Sequence, residues 1–320
     1  MIGIDVGGAN LKVVDDTGVH VRYCPIFSGS SLVPLLSEYR THADAPAAVV
    51  MSGELADCFR NKAEGIAFIV HAVKEVFPYA VFYGTDAQFH TTAVPQLAAA
   101  NWLVSADFLR ARYQDAVLVD VGSTTTDIIP LSSFPDLQGL TDLMRLRKGY
   151  LVYTGMLRTS IPTLLRIAVI DGVPTPVSTE FFASSADAHL VLGHITPDQY
   201  SCDTPDHREK TKTASVHRLA RVVCADVEEI GEAGARQIAE QFWDVQRALV
   251  CDKVRKVMAA SGVTDVVTAG IGSSLFAEEL GAIDLFKELG DAADALPAFS
   301  VREVALRSRG SSSHPPLGRG

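Results

Sequence analysis

The chain opens on an apolar run, Ile2-Gly-Ile-Asp5-Val6, then breaks at Gly7-Gly8 and resumes with a β-branched run from Leu11 to Val14. That is the pattern of a strand, a tight turn and a return strand. It recurs at Val117-Leu-Val-Asp120-Val-Gly122, with a turn through Ser123-Thr124-Thr125-Thr126 and a return strand Asp127-Ile-Ile-Pro130. Asp120 follows Asp5 by 115 positions, and Gly122 follows Gly7 by the same 115. Two Asp-Val-Gly hairpins half a chain apart point to a duplicated unit. A third segment, Val266-Val-Thr268-Ala-Gly270-Ile-Gly272-Ser273, reads as a strand entering a Gly/Ser turn, with a helix through Leu275, Phe276 and Leu280 after it. Helical periodicity is clearest over 235–260, where Ile238, Phe242, Val245, Leu249, Val254 and Val257 share a face. A second helix is expected over about 96–112, from Leu97, Trp102, Val104, Phe108 and Leu109, with Trp102 in the core. Strands alternating with helices predict an α/β protein of two domains, residues 1–114 and 115–307. Residues 308–320 carry no core-forming pattern and are expected to be disordered.

Composition narrows the function. There are 28 Lys and Arg against 38 Asp and Glu, a net charge of −10, and no basic block. Such a chain gains nothing from counterion release, which excludes nucleic acid as an expected partner. No apolar run is long enough to span a bilayer, and the N-terminus has no signal-peptide pattern, so a soluble cytoplasmic protein is expected. The five cysteines (24, 58, 202, 224 and 251) are odd in number and form no CxxC pair, which favours reduced thiols. His189 and His194 lack the partners of a structural zinc site.

The hairpins carry the chemistry. Small residues at Gly7, Gly8, Asn10, Gly122 and Ser123 let backbone N–H groups approach an anion, and the Thr124, Thr125 and Thr126 hydroxyls add donors. An Asp cannot bind phosphate directly, but Asp5, Asp120 and Asp127 can hold a hydrated Mg²⁺ or similar cation that does. Lys12, which begins the return strand, either points at the phosphate or is a solvated strand residue. The Gly270, Gly272 and Ser273 turn is a further phosphate-binding candidate, although it matches neither the dinucleotide fingerprint nor the P-loop.

Two Asp-Gly phosphate hairpins and a late Gly-rich strand-turn-helix resemble the actin, sugar-kinase and Hsp70 superfamily. The resemblance implies two ribonuclease-H-like domains with a ligand cleft between them. Met51-Ser-Gly53-Glu54-Leu-Ala-Asp57, Lys62-Ala-Glu64-Gly65, Ala98-Ala-Ala-Asn101-Trp102 and Tyr153-Thr154-Gly155-Met-Leu-Arg158-Thr159 resemble its hydantoinase/oxoprolinase-related branch. Ser185-Ala-Asp187-Ala, Tyr200-Ser-Cys202-Asp203-Thr204 and Arg218-Leu-Ala-Arg221 are similar to a subfamily linked to tetrahydromethanopterin one-carbon transfer. The chain departs from that pattern at Pro205-Asp206-His207 and Leu103-Val104, which bears on substrate specificity more than on fold.

The subfamily implies a condensation of methanofuran biosynthesis: an alkyl transfer from a furan-methylamine diphosphate to the phenol oxygen of γ-glutamyltyramine, tyramine or tyrosine, with diphosphate released. The reaction needs a base, for which Glu54 is the first candidate and Asp57 the second; either residue can alternatively cap the following helix. Arg158 is a candidate grip for a carboxylate or phosphate, or else a surface ion-pair partner. Asn101 either faces the ligand or is a satisfied buried amide. Asp203 and Thr204 lie in the polar stretch 198–213, a mobile loop that is either a substrate lid or a linker. Two alternatives compete: an ATP-dependent kinase or hydantoinase/oxoprolinase-type enzyme holding ATP or ADP on the same loops, and a nucleotide-gated binding or regulatory protein. The oligomeric state is not readable from the sequence.

Overall fold

The computed structural model describes residues 1–26, 32–40 and 46–311, with the side chains of 310 and 311 left aside. The chain divides into two compact units. The first comprises Met1–Ala116, Ile129–Arg147 and the C-terminal stretch from Leu285; the second comprises Val117–Ile128 and Lys148–Asp284.

In the first unit, β1 (Ile2–Val6), β2 (Asn10–Asp15), β3 (Gly18–Tyr23), β4 (Ala47–Met51), β5 (Val81–Tyr83) and β6 (Phe89–His90) form one sheet ordered β3-β2-β1-β4-β5-β6. β1 and β2 pair antiparallel, while β1, β4 and β5 run parallel. Every residue of β1 and β4 is buried, as expected of parallel strands covered on both faces. The Lys62–Val76 helix places Ile66, Ile69, Val70 and Val73 in the core with Ile4, Val6 and Val49. On β1, Gly3 is small for a packing reason: a Cβ there would stand 2.1 Å from the Ala298 carbonyl oxygen. The C-terminal helix, Leu296–Ser311, therefore lies directly on the first strand, and Arg302 Nε donates to the Met1 carbonyl at 2.9 Å.

The second unit contains β7 (Ala116–Val121), β8 (Thr126–Pro130), β9 (Leu151–Val152), β12 (Asp265–Ala269) and β13 (Ile283–Asp284) in one sheet, with the β10 (Ile167–Ile170) and β11 (Val173–Pro176) ribbon apart from it. The sheet order is β13-β12-β7-β8-β9, with β8 and β9 antiparallel and β12 and β13 parallel. Reading β7 as β1, β8 as β2, β9 as β3, β12 as β4 and β13 as β5 reproduces the order of the first sheet's strands β1 to β5, with β6 added at its edge. The duplication inferred from two hairpins thus extends across both sheets, and each has the ribonuclease-H-like order.

Three sequence expectations shift. The units are not two consecutive segments, because the chain returns after Asp284 and contributes its last helices to the first unit. That final helix takes in residues 308–311 of the expected tail, and residues 312–320 lie outside the described residues. The 235–260 helix runs Val227–Ser261, interrupted at Gly231, whose φ is +67°. Its buried face is rotated from the expected one: Val245 is exposed and Gln246 is buried. A buried amide is tolerated there because all its bonds are made. Gln246 Nε2 donates to Thr154 Oγ1 at 2.8 Å and to the Gly155 carbonyl at 2.9 Å, while its Oε1 meets His189 Nε2 at 2.9 Å. The predicted 96–112 helix is a Pro95–Leu97 turn followed by Asn101–Leu109. Trp102 is 1% exposed, with the Arg145 guanidinium 4.4 Å from its ring centroid.

Candidate active site

Both hairpin turns close in the same way. Gly7 N–H donates to the Asn10 carbonyl at 3.0 Å, and Gly122 N–H to the Thr125 carbonyl at 2.9 Å, partners again 115 residues apart. In each unit the loop after the parallel neighbour strand lies against that turn. Ser52 and Gly53 donate to the Val6 carbonyl at 3.0 and 3.1 Å, and Gly272 donates to the Val121 carbonyl at 3.1 Å. A Cβ on Gly53 would come within 2.9 Å of the Gly7 carbonyl carbon. One on Gly270, where φ is +80°, would come within 2.5 Å of both Asp120 Oδ1 and the Val121 carbonyl oxygen. The Met51-Ser-Gly53-Glu54 loop is thus the first unit's counterpart of Gly270-Ile-Gly272. Sequence reasoning found the two segments separately and missed their equivalence, because only glycine adjoining a strand end is shared.

The second hairpin is gripped by the Thr154–Thr159 segment. Met156 N–H donates to the Gly122 carbonyl at 3.0 Å, and Leu157 and Arg158 N–H to the Ser123 carbonyl at 2.9 and 3.1 Å. Gly155 leaves no room for a side chain, since its Cβ would be 2.6 Å from the Gly122 oxygen. This contact accounts for the Thr-Gly-x-Leu-Arg-Thr motif and puts Arg158, an exposed side chain, beside the turn. Thr126 is not a phosphate donor as expected, because its hydroxyl is buried and donates to the Thr154 carbonyl at 2.8 Å. Ser123, Thr124 and Thr125 remain half-exposed at the tip. Ser273 is corrected as well: its buried hydroxyl bonds Thr268 Oγ1 at 3.0 Å and the Asp284 carboxylate, so it fixes the turn from inside.

The acidic residues differ between the hairpins. Asp5 is the register partner of Lys12 across β1 and β2. Lys12 Nζ bonds the Asp294 carbonyl and lies 3.3 Å from its carboxylate, a commitment that the phosphate-facing reading did not anticipate. Carrying that register forward by 115 sets Asp120 opposite Asp127, two carboxylates where the first hairpin has an Asp and a Lys. Two carboxylates so placed can share a cation. Among the described residues no three His, Cys, Asp or Glu side chains gather in a metal-binding cluster. The second hairpin therefore offers at most two carboxylates, which suits Mg²⁺, an ion that keeps several of its waters.

Glu54 follows Gly53 and is 1% exposed. Burial pushes its carboxyl above the usual range, opposed by Lys62, whose Nζ is 3.6 Å from Oε1; the charge of Asp142 pushes in the same direction as burial. Oε2 has no hydrogen-bond partner among the described residues. The helix-capping alternative is excluded for both candidates: Asn61 caps the Lys62–Val76 helix, its side chain accepting from Glu64 N–H at 3.0 Å. Asp57 is exposed on the connecting turn. Gly65 explains the Lys62-Ala-Glu-Gly65 motif, because a Cβ there would stand 2.0 Å from the Glu54 carbonyl oxygen. Gly65→Ala is expected to cost about 1–3 kcal/mol of stability, the usual penalty of overpacking. Denaturant unfolding measures it, and a loss below about 0.5 kcal/mol would show that the helix readily moves off Glu54.

The remaining candidates separate. Asn101 is half-buried at the start of its helix. Thr204 is buried, its hydroxyl donating to the Arg208 carbonyl at 2.9 Å, so it holds the loop instead of a substrate; Asp203 is exposed. The 198–213 stretch is not the free lid or linker expected from its polarity. Beneath it, the fully buried Asp187 and Arg218 pair at 2.8 Å, and Arg218 reaches Asp206 at 3.1 Å and the Glu209 carbonyl at 3.3 Å. Tyr200 OH donates to Asp187 at 3.2 Å. His189 and His194 join through their Nδ1 atoms at 3.0 Å, and burial pushes His189 down to about 3. The five cysteines are free thiols.

Residues 46–292 match the hydantoinase/oxoprolinase family. The chain belongs to that family. Two relatives carry the name (4-{4-[2-(gamma-L-glutamylamino)ethyl]phenoxymethyl}furan-2-yl)methanamine synthase. The protein from Methanocaldococcus jannaschii is 34% identical over 95% of this chain and 97% of its own length. The one from Methanococcus vannielii is 34% identical over 59% of this chain and 89% of its own. Among solved structures, nucleotide-free acetone carboxylase superposes with a TM-score of 0.52 at 11% identity, covering 94% of this chain and 69% of that one, a likeness of fold. Like its relatives' shared name, the family assignment agrees with the motifs at 51–65, 98–102 and 153–159. No helix among the described residues is long and apolar enough to cross a membrane.

Proposed function

We propose that this protein is a transferase that forms the aryl ether of (4-{4-[2-(γ-L-glutamylamino)ethyl]phenoxymethyl}furan-2-yl)methanamine from a furan-methylamine diphosphate and the phenol of γ-glutamyltyramine. The observation that carries this reading is 34% identity, over nearly the whole length of both chains, to a synthase of that product. The site chemistry supports it. The exocyclic C–O bond to diphosphate breaks with its electron pair leaving on the diphosphate, and the furan ring spreads the positive charge left on carbon. The phenol oxygen then bonds that carbon, and its proton passes to Glu54.

Each task has residues suited to it. Each unit's turn has a tip suited to an anion beyond the Gly7 or Gly122 N–H that closes it: Gly8 in the first unit, and Ser123 with the Thr124 and Thr125 hydroxyls in the second, each donor aimed at a departing anion contributing on the order of 3 kcal/mol. A divalent cation such as Mg²⁺ on Asp120 and Asp127, with Asp5 as the corresponding carboxylate of the first hairpin, would neutralise diphosphate charge when bound. Arg158, anchored through its backbone to Ser123, is suited to gripping a phosphate or the γ-glutamyl carboxylate. Glu54 is a base whose raised pKa moves it toward that of the phenol.

The direct test incubates the protein with both substrates and Mg²⁺, following diphosphate release and the ether by mass spectrometry. Stoichiometric ether and diphosphate are expected; absence of ether with authentic substrates refutes the reading. A second reading, an ATP-dependent small-molecule enzyme, is favoured by the Gly270–Gly272 turn against Asp120. Calorimetry separates the two: tight ATP binding with turnover supports the second, and tight Mg²⁺-diphosphate binding with little for ATP supports the first.

A further inference from the structure

A pocket of about 570 Å³ in the first unit is lined by apolar groups, among them Ile66, Ala98 and Leu140, with Lys62 in its wall. The volume is that of a small-molecule site. Its walls bring together the Lys62-Ala-Glu-Gly65 and Ala98-Ala-Ala-Asn101-Trp102 segments, which are far apart in sequence. Small side chains keep it open at Ala63, Ala93 and Ala98. Next to Ala98, Ala99 adopts a φ of +47°, a conformation alanine takes at a cost and one that is commoner at functional sites. Lys62 links the pocket to chemistry, because its ammonium is 3.6 Å from the buried Glu54 carboxylate. Glu54 Oε2 is shielded from solvent and has no hydrogen-bond partner among the described residues. Glu54 also directly follows Gly53, which rests on the Gly7-Gly8 turn. Within one unit, the phosphate turn adjoins the carboxylate's loop and the carboxylate adjoins the ammonium, which is in the pocket wall with Glu54 behind it.

We infer that this pocket is the acceptor site: it takes the aromatic ring of the phenol and presents the hydroxyl to the Glu54–Lys62 pair. The inference rests on the transferase reading for the identity of the acceptor. The wall is mostly apolar with one cation, and its Asn61, Thr85 and Thr141 side chains bond within the protein, which suits a phenol better than a sugar or a nucleotide phosphate, which need many donors. When the phenol proton moves to Glu54, the oxygen becomes negative and the Glu54 carboxylate neutral. Lys62 then balances the phenolate in place of the carboxylate, so the pair and the phenol together keep their net charge. Lys62 is in this sense a positioning and charge-balancing residue, and Ala98 a specificity-determining one.

Ala98→Leu and Lys62→Gln test the inference. With Mg²⁺ and the furan-methylamine diphosphate saturating, Ala98→Leu is expected to raise KM for the phenol at least tenfold and leave KM for the diphosphate unchanged. Lys62→Gln is expected to lower kcat and to move the appearance of the bound acceptor's phenolate absorption to higher pH. An unchanged phenol KM in folded Ala98→Leu overturns the acceptor site while leaving the transferase reading intact. If no ether forms even with the wild-type chain, saturation-transfer NMR with tyramine and Mg²⁺-diphosphate decides the pocket alone. Tyramine signals lost in Ala98→Leu then support it, and signals equal in both proteins, or absent from both, overturn it.

Discussion

Glu54→Gln is expected to lower kcat for ether formation by about 10²–10⁴, the contribution of a positioned general base. Binding of Mg²⁺-diphosphate should be unchanged, because the Glu54 side chain is paired with Lys62 and not with the turn. The pH profile separates a catalytic from a structural role. Burial raises the Glu54 pKa above the ordinary value of 4.5, and the base acts as carboxylate. Activity should therefore fall as pH drops through that raised pKa, at a pH higher than an exposed Glu would give, and the limb should vanish in the Gln variant. Stability should move the other way. With the folded pKa above the unfolded one, the fold binds more protons between the two values, so stability declines as pH rises through that window. Removing the buried charge should therefore make Glu54→Gln at least as stable as wild type near neutrality, with the difference shrinking below the unfolded pKa. A Gln variant with wild-type kcat, or with an unchanged acid limb, would assign the base elsewhere.

The parts of this site that were legible in the sequence are those written in local pattern. A strand, a small turn and a return strand is a short-range signal, and its repetition at 115 residues revealed the duplicated unit. Glycines at turns were legible as small residues, but the reason for each lay in a distant partner. Gly3 clears Ala298, Gly65 clears Glu54 and Gly155 clears Gly122. Side-chain destinations were the least legible. Lys12, Thr126 and Ser273 have the right types and positions for phosphate, yet Asp294, Thr154 and Asp284 take their polar groups. No spacing rule reports such long-range competition. The 198–213 loop looked mobile because it is polar, while the ion pair that pins it, Asp187 with Arg218, comes from two helices that flank it in sequence. Its buried counterpart at Gln246 misled the helix periodicity, since an amide with every bond made occupies a core position as well as valine does.

Asp127→Asn is expected to lower the rate at least a hundredfold, and the comparison between the two hairpins explains why. In the first, Asp5 is the register partner of Lys12, whose ammonium pairs with Asp294. At the position equivalent to Lys12 the second hairpin has Asp127, so Asp120 faces another carboxylate there. Two facing carboxylates can hold one cation between them, and a cation held there is available to diphosphate. Neutralising Asp127 should therefore raise the Mg²⁺ concentration needed for half-maximal activity, and added Mg²⁺ should restore part of the rate. Asp127→Lys is the sharper variant. It rebuilds the first hairpin's Asp–Lys pair, so it should fold with stability equal to wild type or up to about 1 kcal/mol greater. Its activity should be lost, and no Mg²⁺ concentration should recover it, because the lysine occupies the cation's place. A near-wild-type rate in Asp127→Asn would reject the metal role. An Asp127→Lys variant that stays active but no longer responds to Mg²⁺ would show that a fixed ammonium can replace the ion, leaving charge balance, and no specific metal chemistry, as the function of this pair.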